Sequence, residues 1–213
     1  MASGTIVRGA PDPASDLDLY VLHRGSFRQR LQKFFNGVPA EIFVNPPSAV
    51  ERYFAEEQAE GRPLTAHMLA TGAVILELDP VVSALRRKTI QLLAQPPDPT
   101  PERLTMARYM AATRHEDALD VVTRDPALAR MLLSQAVDDI LRFCFLQARM
   151  FLPRSKELLR AFTEIDPQTA AMVRRFFAAP DLEAQLELAG QIADRTIGVR
   201  GFFEWESAPE ILA

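Results

Sequence analysis

One cysteine in 213 residues rules out an internal disulfide and takes sulfur out of the chemistry. Cys144 sits in "LRFCFLQA", apolar at helical spacing, and reads as a buried core thiol. No run approaches the ~18 apolar residues that a membrane-spanning helix needs. The opening "MASGTIVRGA" lacks a basic start followed by roughly 7–15 apolar residues, so a cytoplasmic location is expected. Positive charge is also in short supply. With 24 Lys and Arg against 28 Asp and Glu, the net charge of −4 gives no general attraction to nucleic acid or to an anionic membrane surface, and neither is an expected partner. Internal repeats and low-complexity tracts are missing as well.

What is present is ordinary globular material, 48% hydrophobic, enough for one large domain or two small ones. The first eighty residues alternate strand and helix patterns. "DLDLYVL" reads as a strand, "FRQRLQKFF" (27–35) as an amphipathic helix capped by Ser26 and closed by Asn36-Gly37, and "AEIFVN" (40–45) as a second strand. A helix over 48–61, a short helix from Thr65, and a third strand "AVILEL" (73–78) follow. Such alternation argues for a small α/β or α+β unit with helices on one side of a short sheet, and the fold class expected for the chain is α+β, a small mixed sheet with helices followed by a helical bundle. Beyond Pro80 every periodic segment is helical: 81–94, 102–123, 127–151, 155–164, 167–178 and 181–197. The stiff "QPPDPTPE" (95–102) separates the halves, giving an expected domain over 1–94 and an all-α bundle over 95–213.

Two aspartates inside the first strand pattern need a reason. Residues i and i+2 of a strand share a face, so Asp16 and Asp18 project together and repel unless protonated or bridged by a cation. Hard oxygen donors at that separation suit Mg²⁺. The preceding "GTIVRG" brackets a hydroxyl residue with Gly4 and Gly9, where backbone N–H groups can approach a phosphate. Arg8, inside that bracket, is a candidate phosphate contact. Glu41 sits among apolar residues on the next strand pattern, where a plain core strand would not carry an acid. If the strands are neighbours, three carboxylates converge beside a phosphate-cradling turn, the arrangement that phosphoryl and nucleotidyl transfer uses.

The spacing G-T-x(2)-R-G-x(5)-S-D-L-D-L, followed by a hydrophobic-acid-hydrophobic stretch, resembles the DNA polymerase β-like nucleotidyltransferase superfamily. By this resemblance Gly4 and Thr5 fall on its Gly-Ser pair, Asp16 and Asp18 on its paired acids, and Glu41 on its third acid. Within the superfamily the chain resembles small bacterial proteins related to kanamycin nucleotidyltransferase, which carry a C-terminal helical bundle. "GRPLTAHMLATGAVILELDP", "PRSKELLRAFTEIDP" and "GFFEWESAPE" share that look. Relatives place a helix and a core strand before the Gly-Ser turn. Here only Met1-Ala2-Ser3 precede it, so the first strand is expected to be missing.

The resemblance implies transfer of a nucleoside monophosphate from an NTP, ATP in the first instance, to a hydroxyl of a small-molecule acceptor. Mg²⁺ would be held by Asp16, Asp18 and Glu41, with Gly4, Thr5, Arg8 and Gly9 at the nucleotide. It also leaves room for a homodimer. An acid from the helical half acts as general base in relatives, and Glu116, ahead of Asp117, fits by position. Two alternatives stand beside this reading: an antitoxin-like enzyme that adds AMP to a partner protein, and a non-catalytic module that keeps the fold. The helix pattern carrying Glu116 also places Arg108 and His115 seven apart, a loose match to the ribonuclease motif of HEPN helical domains.

Overall fold

Chain direction and hydrogen bonding at the N-terminus set up the first sheet. Ala2–Ser3 form a short strand, β1, and a single helical turn, α1 (Gly4–Val7), follows it. Before the Gly4 turn the chain thus contributes a strand of two residues. The computed structural model describes residues 1–9 and 11–209, in two units, Met1–Pro96 and Pro97 onward. In the first unit, β2 (Leu17–Leu22), β3 (Gln29–Phe35) and β4 (Val38–Asn45) complete a mixed sheet of order β1-β2-β4-β3. β1 runs antiparallel to β2, β2 parallel to β4, and β4 antiparallel to β3.

Residues 27–35 were expected as a helix, and the structure corrects this: Gln29–Phe35 is an edge strand. The i, i+3, i+4 spacing of Phe27, Leu31, Phe34 and Phe35 mimics an amphipathic face, but Asn36 (φ 50°) and Gly37 (φ 82°) both adopt positive φ and close a hairpin. An edge strand does not need to bury that stripe, and Phe34 stays 76% exposed. The "AVILEL" segment is corrected too. Only Ala73 pairs, through a bridge to Ala2, and 74–78 has strand composition without a ladder. β1, the strand it meets, is two residues long, and composition cannot substitute for a partner edge.

Helices α2 (Pro47–Glu60), α3 (Leu64–Thr71) and α4 (Val81–Leu93) pack on one face of the sheet. That core gathers Tyr20, Val50, Phe54, Ala66, Leu69 and Leu85, with Phe43 stacked on Tyr20 at 5.8 Å. Asn45 donates to the Tyr20 hydroxyl at 3.0 Å, which satisfies a phenol that burial keeps neutral far above neutral pH. The Glu57 carboxylate ties α2 to α3 by accepting from both N–H and Oγ1 of Thr65, each at 2.7 Å.

The second unit is helical among its described residues: α5 (Pro101–Val121), α6 (Pro126–Gln147), α7 (Leu158–Ile165) after a 3₁₀ turn at 155–157, α8 (Pro167–Ala178) and α9 (Leu182–Thr196). Four of these helices have an N-cap side chain that accepts from the first turn, Thr100, Asp125, Asp166 and Asp181, and proline follows the first three of those caps. Their apolar faces bury Leu133, Val137, Ile140, Phe145, Phe162 and Ile192 in one core. Cys144 joins it, and burial pushes its thiol up to about 12. The segment after α9 is strapped down by Arg108, which donates to the Ile197 carbonyl at 2.6 Å and lies over the Phe203 ring, and by Tyr109 against Trp205.

Candidate functional site

Along β2 and β4 the helix-covered face changes character from one end to the other. Leu22 and Asn45, then Tyr20 and Phe43, then Asp18 and Glu41 are successive facing pairs of the parallel ladder. Alternation keeps all six side chains on one face, so the core at the C-terminal end gives way to carboxylates at the N-terminal end. Asp16 stands just before β2, two residues from Asp18. One carboxylate oxygen from each of Asp16, Asp18 and Glu41 lies within 4.8 Å of the others. Asp16 is exposed, whereas Asp18 and Glu41 are half-buried. Three hard oxygen donors this close could hold a divalent cation, and Mg²⁺ fits their chemistry.

Gly4 closes the site from the β1 side. Its φ of +84° favours glycine, and a Cβ there would run into the Asp18 carboxylate, with Cγ 3.3 Å away. The glycine therefore lets α1 begin directly against the acid. Thr5 Oγ1 donates to Ser15 Oγ at 3.1 Å, and Ser15 belongs to a turn in which the Asp12 carboxylate accepts from Ala14 N–H. Within the glycine-bracketed segment 4–9, Gly4–Val7 form a helical turn, and Arg8 and Gly9 are exposed at its end. Glu116 lies in the second unit, half-buried on α5 beside Gly201, and Asp117 next to it is exposed.

Three residues at this site escape the sequence reading. Ser3 pairs with Asp18 across β1 and β2, is 3% exposed, and its hydroxyl has no hydrogen-bond partner among the described residues. Arg30 makes an ion pair and a hydrogen bond to Glu41 Oε1, and Gln32 Nε2 donates to the same oxygen at 3.3 Å. Reading 29–35 as the first strand of a hairpin closed at Asn36-Gly37 would have set Gln32 opposite Glu41 and Arg30 one step along the same face.

Among solved structures, the chain is similar to the crystal structure of a nucleotidyltransferase-like protein from Exiguobacterium sibiricum 255-15, with a TM-score of 0.55 over 85% of this chain and 14% identity. The fold is nucleotidyltransferase-like. The chain spans 61% of the length of that neighbour. No family model and no curated protein matches it. The acidic cluster thus sits on a nucleotidyltransferase-like sheet. Among the described residues, no helix is long and apolar enough to cross a membrane.

Proposed function

We propose that the protein is a metal-dependent nucleotidyltransferase of the kanamycin-nucleotidyltransferase-like kind, moving a nucleoside monophosphate from an NTP, ATP in the first instance, to a hydroxyl of a small-molecule acceptor. The observation that supports this is a register: Asp18 faces Glu41 across two parallel strands, Asp16 stands at the strand entry, and Gly4 abuts Asp18 from the other side. Asp16, Asp18 and Glu41 would hold Mg²⁺, which when bound neutralises triphosphate charge and eases the departure of pyrophosphate. Gly4 and Thr5 would orient the phosphates through backbone N–H and hydroxyl groups, and Arg8 with Gly9 would line the same approach. Glu116 is assigned removal of the acceptor's proton. In this reading residues 1–94 form the nucleotidyltransferase domain and residues 95–213 a C-terminal helical bundle domain.

The test is Mg²⁺-dependent pyrophosphate release with each of the four NTPs against a panel of hydroxylated small molecules, aminoglycosides included, with the adduct identified by mass. Acceptor-dependent release that disappears in Asp18→Asn is the expected result. A second reading, a non-catalytic module, is favoured by one observation, the engagement of Glu41 by Arg30. Titration calorimetry separates the two, because a module without activity gives no metal-dependent nucleotide binding.

A further inference from the structure

Glu41 Oε1 receives Nε and Nη2 of Arg30 together with Nε2 of Gln32. Three N–H donors saturate one carboxylate oxygen, and a divalent cation at the triad would draw on the same carboxylate. The two partners differ in mobility. The Glu41 side chain is 14% exposed in the sheet, whereas that of Arg30 is 63% exposed on the edge strand β3. Arg30 can therefore leave without disturbing the core, while Glu41 cannot. The Phe43 ring lies 5.0 Å from the guanidinium carbon while Arg30 is paired with Glu41, so the cation already has a second favourable neighbour on the same face. A planar guanidinium that binds a carboxylate through two nitrogens is equally suited to a phosphate.

Resting on the nucleotidyltransferase reading, we propose that Arg30 is an exchangeable counter-ion of the acidic triad, a positioning residue that competes with a divalent cation for Glu41 and turns to the phosphates of the bound nucleotide. It couples the two binding events: metal alone draws on the carboxylate charge that holds the arginine, whereas metal arriving with a triphosphate offers the released guanidinium a new anion. The site would then favour the metal–nucleotide complex over free metal.

The experiment titrates Mn²⁺ into wild type, Arg30→Gln, Arg30→Met and Asp18→Asn, followed by electron paramagnetic resonance and calorimetry, first alone and then with a non-hydrolysable ATP analogue. Circular dichroism confirms folding of each variant, and Arg30→Met serves if Arg30→Gln does not fold. Removing Arg30 should tighten Mn²⁺ binding about five-fold or more, the scale of a partly exposed charge-assisted contact, and weaken binding of the Mn²⁺–nucleotide complex by at least as much. Unchanged or weaker Mn²⁺ binding in the Arg30 variants, with Asp18→Asn still abolishing it, overturns the inference and leaves the triad standing. Tighter Mn²⁺ binding with undiminished nucleotide binding removes the phosphate role and also overturns it. Mn²⁺ binding that does not depend on Asp18 overturns the nucleotidyltransferase reading itself.

Discussion

Asp18 and Glu41 face each other as Cα partners in the β2–β4 ladder, 23 residues apart in sequence and one strand apart in space. Parallel pairing puts their side chains on one face, where like charges repel unless a cation joins them. Arg30 already neutralises one of the two. The proposed chemistry uses both carboxylates, and because Arg30 pairs with Glu41 the two should respond differently to loss of charge.

Asp18→Asn should abolish Mg²⁺-dependent pyrophosphate release while the melting temperature holds or rises slightly, because the repulsion is relieved. Glu41→Gln should cost turnover on the order of 10² or more and weaken metal-dependent nucleotide binding less than Asp18→Asn, since water can partly replace a third ligand. Full activity in Glu41→Gln would remove it from the site.

Gly4→Ala should lower stability by about 1–3 kcal/mol, because φ is +84° and the added Cβ meets the Asp18 carboxylate. The two costs separate in a double-mutant cycle. In an Asp18→Ala background the steric part vanishes and only the backbone part remains, so chemical denaturation should show a smaller penalty there. Equal penalties in both backgrounds would mean that the glycine serves the turn alone.

His115 supplies a pH prediction in the helical unit. It is 2% exposed on α5, and neither ring nitrogen has a hydrogen-bond partner among the described residues. Burial first, and then the Arg200 guanidinium, hold its pKa below the ordinary 6.5, with Asp194 opposing. Above about that pH the ring is neutral in both folded and unfolded states, and its full contribution is present. As the pH falls below it, the unfolded chain takes up the proton first, so stability declines until the folded-state value is passed. Denaturant unfolding followed by the single tryptophan, Trp205, should show wild type losing stability towards pH 5 faster than His115→Leu. Parallel curves would show that other groups carry the acid sensitivity.

Glu116→Gln tests the assigned base. A carboxylate that takes the acceptor proton as the bond forms is typically worth 10²–10⁴, so kcat should fall by about that factor with NTP affinity unchanged. A wild-type kcat in Glu116→Gln alongside its loss in Asp117→Asn would transfer the role to Asp117.

The helical half is legible in the sequence because helices are built from neighbours. Thr100-Pro101, Asp125-Pro126 and Asp166-Pro167 each supply a cap and a preset first turn within two residues, and the apolar periodicity behind each carries its own orientation. The shared face of Asp16 and Asp18 is equally local, since it follows from the period of one strand. Phe27 to Phe35 misleads for the same reason: a local count of apolar spacings favours helix, while the deciding signal, Asn36-Gly37 at positive φ, acts by bringing β3 back against β4.

What the sequence by itself determined is the set of chemically capable residues and the division between an alternating half and a helical one. Tertiary structure alone decided which of them meet. It set Glu41 opposite Asp18, placed Gly4 against the Asp18 carboxylate, and gave 74–78 no ladder. The reason is physical: a helix satisfies its backbone hydrogen bonds within a few residues, whereas a strand satisfies them only on an edge supplied from elsewhere in the chain, so a strand's neighbours, and the site built on them, follow from pairing that no local window contains.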